Sequence, residues 1–514
     1  MDTLHLIRAA NSEQERLLIK SAVGLYEFSP QAIAQPKTEQ DLIHIVQSAK
    51  HHKRRVKAIG ARHSAVPLPA TEGVCVSLKQ YKKVLQVDGL LVTVQSGIRL
   101  CELNEFLAQH DLALPILGTI AQQTVSGAVS TGTHGGSLHH TSLSGYVEAM
   151  RIVRADGTVV QIYKGDELFD GVAIALGSLG LISTITFRCV PAFSLGTNVI
   201  TLPMASFLAQ FDVLNRQNQY VDIRYSPITD KAHLALINPT TEPLIENDSW
   251  EPPNLSPFAQ RLAGITDRIN KLAQKLFLTH KFNRLQRWGI KRYDRAIYAE
   301  VYGHSDFVLT HFDATSTDLL ANKARSNLDP VADMEVAVPY SQAIEAITTL
   351  RQHFQNTQRF PSMHIHLRTQ AAETAWLSPT RGEAACWIEF WEYPCTGKFF
   401  AEMMALLQPF KPLGHWGKQL PKLPGSEPER QYARWSNFIQ LRQQWDPDGM
   451  FSNNYLDQIF LESTSHFCTH INETHPVAAR HPSRGDLPQT GRPKETASIT
   501  EVLTSEEKSP RISS

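Results

Sequence analysis

Residues 124–136 read T-V-S-G-A-V-S-T-G-T-H-G-G, from Thr124 to Gly136. Gly127, Ala128, Ser130, Gly132, Gly135 and Gly136 leave almost no side chain along the stretch. A backbone stripped this far can bring its N–H groups against a bulky anion such as a pyrophosphate. The common phosphate fingerprints are absent. No Lys-Ser or Lys-Thr pair follows, and no G-x-G-x-x-G joins a strand to a long apolar helix. A plain glycine-rich surface loop is the competing reading, and two other segments bear on the choice.

Upstream, Lys53 to Ser64 reads K-R-R-V-K-A-I-G-A-R-H-S, a short strand ending at Gly60 and then a tight turn that exposes His63. Near the far end, Gly414 to Lys418 reads G-H-W-G-K, an imidazole and an indole between two glycines with an amine just after. Each alone has a bland reading, a hydrogen-bonded histidine or a simple turn. In this order and at this separation the three resemble the sugar-lactone and alditol oxidases of the vanillyl-alcohol-oxidase flavoprotein superfamily. That family carries G-x-x-H-S, then T-V-x-G-x-x-x-x-G-T-H, then H-W-x-K. The resemblance runs over roughly residues 25 to 460 and is thin between about 230 and 300.

The resemblance implies an α+β fold. A two-subdomain FAD-binding domain of the vanillyl-alcohol-oxidase type would occupy 1–195, and an antiparallel-sheet cap domain covered by helices 196–419. Residues 420–462 would return to the FAD domain. It also implies FAD held by Gly60, Ala61, Arg62, His63 and Ser64, by Thr124, Ser126, Gly127, Ser130, Gly132, Thr133, His134 and Gly135, and by Gly180, Ile182 and His415. In the matching family position histidine is joined to the flavin's 8α-methyl group, so the FAD is expected to be covalent through His63.

Composition agrees with an ordinary soluble globular protein. The 514 residues suffice for two or three domains with well-filled cores. Lys+Arg and Asp+Glu balance at 50 each, so no global field recruits nucleic acid or membrane. The six cysteines are scattered without a C-x-x-C pair, which points away from a metal site or a disulfide framework. The N-terminus is interrupted by Arg8, Glu13, Glu15 and Arg16, unlike a signal peptide. No apolar run approaches the roughly 18 residues that span a bilayer. A cytoplasmic protein is expected.

Periodicity fills in the elements. Glu39–His52 and Ile98–His110 carry helical apolar stripes. Thr71–Tyr81, Val84–Val87 and Leu90–Ser96 read as strands, the last two joined at Asp88-Gly89. Val147–Arg154 and Thr158–Tyr163 read as a hairpin turned by Asp156-Gly157, followed by a short helix over Asp166–Ala175 and an alternating strand over Leu181–Val190. Beyond about 195, strand-like segments at 197–203, 220–225, 296–302, 334–339 and 386–392 alternate with helices. Arg434–Trp445 is helical, the segment from Asp446 to Leu456 is turn-rich, and 463–514 has the composition of a disordered tail. A basic insertion near 255–295 departs from the family core. Between Arg261 and Arg292, Asp267 is its only acid, and Leu262, Ile265, Ile269, Leu272, Leu276 and Phe277 share a helical stripe. Peripheral contact with anionic lipid through 261–292 and a solvated cap helix both stay open, the second preferred.

An alcohol oxidase must take a hydroxyl proton and pass a hydride to flavin N5, because no side chain accepts a hydride. The protein then supplies a fixed flavin, a proton acceptor, and positive charge near the reduced flavin. Lys418 fits the last role. Relatives carry a Glu-x-Arg pair on one strand. Here His366 stands at the glutamate position and Arg368 is kept, while Glu389 falls where alditol oxidases place a histidine. A histidine and a carboxylate exchanged between strands would preserve an acid–base pair. The first functional reading is therefore FAD-dependent oxidation of an alcohol on a sugar lactone or polyol, with oxygen or another acceptor closing the cycle. A larger apolar alcohol is the second reading, and a catalytically silent flavoprotein the third.

Overall fold

The computed structural model describes residues 7–9, 17–241, 308–310, 332–361, 364–380, 382–392, 397–421 and 431–460. The basic insertion, the strand expected at 296–302 and the tail beyond 463 lie outside the described residues.

Three short parallel strands start the fold: β2 (Ala32–Ala34), β3 (Val56–Ile59) and β4 (Val74–Ser77), with β1 (Ile7–Ala9) antiparallel at the edge, in the order β1-β2-β4-β3. The crossover from β2 to β3 is α1 (Glu39–His51). It starts at Thr38, whose hydroxyl accepts from Asp41 N while the Asp41 carboxylate accepts from Thr38 N, a capping box. Its buried stripe is Leu42, Ile45, Val46 and Ala49. The segment expected as one strand over Thr71–Tyr81 is split, because Leu78–Gln80 winds into a 3-10 turn after β4.

A five-stranded antiparallel sheet follows. It comprises β5 (Val84–Asp88), β6 (Leu91–Gln95), β7 (Val147–Val153), β8 (Val159–Tyr163) and β9 (Leu181–Arg188), ordered β8-β7-β9-β6-β5. Gly89 makes the β5–β6 turn at φ +56, where glycine carries no steric penalty. Between β6 and β7 lie α2 (Leu100–Ala108) and α3 (Val125–Ser130). The second is a finding the small-residue stretch did not announce, since Gly and Ser are poor helix formers. Its Val125, Ala128 and Val129 are fully buried in the core beneath it, which outweighs propensity.

The third sheet has eight strands, antiparallel throughout. They are β10 (Ser194–Pro203), β11 (Tyr220–Ser226), β12 (Lys231–Thr240), β13 (Val308–Thr310), β14 (Ala332–Pro339), β15 (Ile365–Gln370), β16 (Ala385–Glu392) and β17 (Leu413–Gly414). Their order is β13-β10-β12-β11-β15-β16-β14-β17. Strand period is two, so the faces separate cleanly. One face sends Val221, Ile223, Ile365, Leu367, Ile388, Phe390, Met334 and Val336 into a core with α4 (Met204–Gln217), α5 (Ala343–Thr357) and α6 (Lys398–Leu407). The other face turns toward the first two sheets. The chain then returns to them through α7 (Trp435–Trp445), whose Trp435, Phe438, Leu441 and Trp445 join the same core as Leu100 and Leu103. This is the two-subdomain fold with an antiparallel, helix-covered cap. Among the described residues no helix is long and apolar enough to cross a membrane.

Candidate active site

A cleft opens between the two smaller sheets and reaches the cap, enclosing about 1120 Å³ of space with the solvent at its mouth included. Gly60, Ala61, Ser64, Ser126, Gly127, Ser130, Gly177 and Gly180 give it walls of bare backbone. Lys57, Arg62, His63, His415 and Lys418 supply its basic nitrogens, and among the described residues no Asp or Glu lines it. Side-chain-poor backbone with cations and without carboxylates is what a pyrophosphate needs. At the cap end the two distant motifs touch. Ala65 N donates to Gly417 O at 2.8 Å, which brings the turn carrying His63 beside His415 and Lys418.

The small-residue stretch divides its work. Thr124, Ser126, Gly127 and Ser130 line the cleft, as do Gly60, Ala61, Arg62, His63, Ser64, Gly180, Ile182 and His415. Gly132, Thr133, His134 and Gly135 stand outside that lining. A Cβ on Gly135 would lie 2.7 Å from Leu117 O, and one on Gly136 2.4 Å from Val221 O. Val221 N donates to Gly136 O at 2.8 Å and Ser137 N to Thr369 O at 2.7 Å. Gly135 is thus bare where it packs against the backbone at Leu117, and Gly136 where it docks against the cap strand at Val221.

Above the cleft, the cap's inner face carries a polar row set by strand register. Arg224 faces His366, His366 faces Glu389, and Glu389 faces Glu335, on β11, β15, β16 and β14 in turn. His366 Nδ1 lies 2.9 Å from Glu389 Oε2, and its Nε2 lies 3.1 Å from Asp222 Oδ1. Lys418 Nζ reaches the row's edge, donating to Asp333 and, at 3.0 Å, to Glu389 Oε1. Arg368 reaches over β16 to donate to Glu335, and donates also to Thr119 Oγ1 at 3.1 Å.

The charges settle one another. Burial pushes Glu389 up, but Lys418, His366 and Arg368 outweigh it and hold this carboxyl well below the ordinary range. Glu335 behaves alike, its burial overridden mainly by Arg368. Burial works against the Lys418 charge, yet Asp333 and Glu389 keep its pKa above the ordinary lysine value.

The four catalytic candidates His366, Arg368, Glu389 and Lys418 therefore come together in one network. Sequence reasoning missed three of their partners, Asp222, Asp333 and Glu335. The signal was present in D-M-E-V-A-V-P from Asp333 to Pro339, where two acids two apart share one face of an apolar strand. The structure also qualifies the reading of His366 as a simple base. A neutral imidazole can donate through only one nitrogen, and here each nitrogen faces a carboxylate oxygen. His366 works as one half of a pair with Glu389. His134, Glu335 and His415 each bring a ligand atom within 4.8 Å of the others, but Arg368 already engages Glu335 and Gly417 N donates to His415 Nδ1 at 3.0 Å. The acid and one ring of the trio are thus already engaged by protein groups.

A family profile described as FAD binding domain matches residues 30–163, and one described as D-arabinono-1,4-lactone oxidase matches residues 185–459. L-gulonolactone oxidase of Scyliorhinus torazame is 26% identical over 453 residues, covering 85% of this chain and 96% of that protein. L-gulono-1,4-lactone dehydrogenase of Mycobacterium tuberculosis is 26% identical over 441 residues, covering 84% and 96%. D-arabinono-1,4-lactone oxidase of Candida albicans is 26% identical over 263 residues, covering 48% and 47%. Among solved structures, a solvent-stable cholesterol oxidase superposes with TM-score 0.69 at 17% identity, covering 87% of this chain and 97% of the other. Cholesterol oxidase from B. sterolicum gives 0.64 at 15%, covering 88% and 99%, and at these identities the likeness is one of fold. The cleft fits FAD by its own chemistry, through bare backbone, basic side chains and a lining without a carboxylate among the described residues.

Proposed function

Because the chain belongs to the D-arabinono-1,4-lactone oxidase family, we propose that it oxidises an alcohol group of a sugar lactone or polyol, with FAD in the cleft. The domain division used above is part of this reading: 1–195 holds FAD, 196–419 caps it, and 420–462 returns to the FAD domain. When bound, FAD supplies the hydride acceptor that no side chain provides. The observation carrying the proposal is the polar row of the cap, Arg224-His366-Glu389-Glu335, ending at a lysine that also lines the cleft. A face of charged and imidazole groups matches a substrate covered in hydroxyls, which can add hydrogen bonds to groups that an apolar alcohol would only desolvate.

The roles follow from position. The His366–Glu389 pair receives the hydroxyl proton, exchanged between strands relative to the relatives' arrangement. Lys418 and Arg368 place positive charge where electrons arrive, held by Asp333, Glu389 and Glu335 so that no reorganisation is needed during reaction. His63 is the covalent tether, lining the cleft within the turn that Ala65 fastens to Gly417. Oxygen or another acceptor closes the cycle.

Anaerobic reduction of the purified holoenzyme tests this. Aldono-1,4-lactones or alditols should bleach the flavin, and apolar alcohols should not. Bleaching by apolar alcohols alone would replace the substrate class, and no bleaching by any alcohol would leave a silent flavoprotein. Flavin fluorescence on a denaturing gel, lost in His63→Ala, tests the tether. A wild-type polypeptide without fluorescence would remove it.

A further inference from the structure

His415 is tied to the cap by its backbone, its N–H donating to Glu335 O at 2.9 Å. Its ring is 6% exposed and packs edge-on against Trp387 at 5.8 Å between centroids, with His134 at 5.7 Å on another side. The ring lines the cleft next to Gly417 and Lys418.

Two residues on, Gly417 turns its N–H back to His415 Nδ1 at 3.0 Å. Only an unprotonated ring nitrogen can accept that hydrogen, so a neutral His415 must carry its proton on Nε2. The choice is made by a backbone amide, which neither titrates nor changes rotamer. Glycine is suited to it, because a Cβ at 417 would stand 3.2 Å from His415 Cε1 and 3.3 Å from Nδ1. The amide is itself fixed, since the next carbonyl, Gly417 O, accepts from Ala65 N at 2.8 Å. No described residue accepts from Nε2. Its hydrogen is therefore free to be given to what fills the cleft that this residue lines.

We propose that His415 is a neutral, tautomer-locked hydrogen-bond donor to the cofactor, giving through Nε2 to an electron-rich heteroatom of the ring system held beside Lys418. This rests on FAD occupying the cleft, and it adds a role distinct from that of the lysine. Lys418 contributes a full charge tied to two carboxylates, whereas His415 contributes a dipole that costs no counter-ion. The surroundings keep it so. Burial lowers the His415 pKa to about 3, the one nearby raising influence being Glu335, while His134, Lys418 and Arg368 all oppose a second proton. A donor of this kind favours the reduced, more electron-rich state of its acceptor at every pH where the enzyme is folded.

The test uses nitrogen-labelled histidine in the holoenzyme, with the His415 signals assigned by their absence from His415→Gln. The expected spectrum has Nδ1 unprotonated and Nε2 protonated, without titration from about pH 5 to 9. An Nδ1-protonated ring, or an imidazolium forming in that range, would overturn the proposal. A second readout uses amide isosteres, since the Gln amide nitrogen reaches the Nε2 position and that of Asn reaches only Nδ1. His415→Asn should shift the flavin's oxidation–reduction equilibrium roughly tenfold toward the oxidised form, the scale of one lost hydrogen bond, and His415→Gln should restore most of it. Equal potentials in all three proteins would overturn the assignment to the cofactor. A protein that carries no flavin would instead refute the underlying reading, while the tautomer remains measurable.

Discussion

The floor of the cleft carries Gly60, Ala61, Ser126, Gly127, Gly177 and Gly180 and no carboxylate, whereas the cap face above it carries Asp222, Asp333, Glu335 and Glu389 against Lys418, Arg224, Arg368 and His366. Both surfaces are polar in function, yet they are built oppositely. The floor holds an anion with backbone, so its residues are chosen for what they lack. The cap neutralises its own charges in pairs before any substrate arrives, so its residues are chosen for what they bring. Holding and chemistry are thus separable, and variants in one surface should spare the other's task.

The largest effects should come from glycines, and they should differ in kind. Gly135→Val sets a Cβ 2.5 Å from Ile116 Cδ1 and 2.7 Å from Leu117 O, so we expect loss of folded protein, read as soluble yield. Gly127→Val crowds only Thr124 Oγ1, at 3.2 Å, and should give folded protein with little flavin. The same outcome from both would erase the division of the stretch into a cradle and a docking edge.

Next, Glu335→Leu strips the buried Arg368 of its nearest carboxylate. Removing one member of a buried pair costs about 3–5 kcal/mol, to be seen in denaturant unfolding. A change below about 1 kcal/mol would mean that Glu389, at 3.8 Å, suffices as partner.

A smaller effect tests the floor. Lys57 is 3% exposed and donates to Gly177 O at 2.9 Å and Phe451 O at 3.1 Å. Burial, helped by Arg442, lowers its pKa to about 7 against Asp446 and Asp457. With the folded value depressed below 10.5, the unfolded chain binds more protons between those limits, so this group's contribution to stability rises with pH across that window. The slope is at most about 1.4 kcal/mol per pH unit. Lys57→Met should flatten it in urea titrations at pH 7 and 9, and an unchanged slope would place the titration elsewhere.

What could be read from the chain tracks this same division. Local turn chemistry was legible, as at Asp88-Gly89 and Asp156-Gly157, and so were α1 and α2 from their stripes and α7 as a helix. Strand β12 was not marked, because Pro239 and Asn238 end it with loop-like residues although Asn238 pairs with Gly196. α3 was hidden by glycine and serine. The four cap candidates were found through family spacing, but their carboxylate partners come from strands far apart in sequence, as with Arg368 and Glu335. Register alone brings those together, and no local pattern encodes it. The close packing of Gly135 on Leu117 and of Gly136 on Val221 was equally non-local, since bare backbone looks the same whether it meets a phosphate or another stretch of chain.

Lys418 stands where the two surfaces meet, so one sample decides whether their tasks are separate. Flavin content and anaerobic reduction rate should be measured together in Lys418→Met holoenzyme, by absorbance and by stopped flow at saturating lactone. Met keeps most of the packing and removes the cation, and Asp333 and Glu389 can take up protons in its place. We expect full flavin content with reduction slowed on the order of 10²–10³-fold, the usual loss for one preorganised charge-stabilising group. An unchanged reduction rate, or a protein that has lost its flavin, would contradict the account.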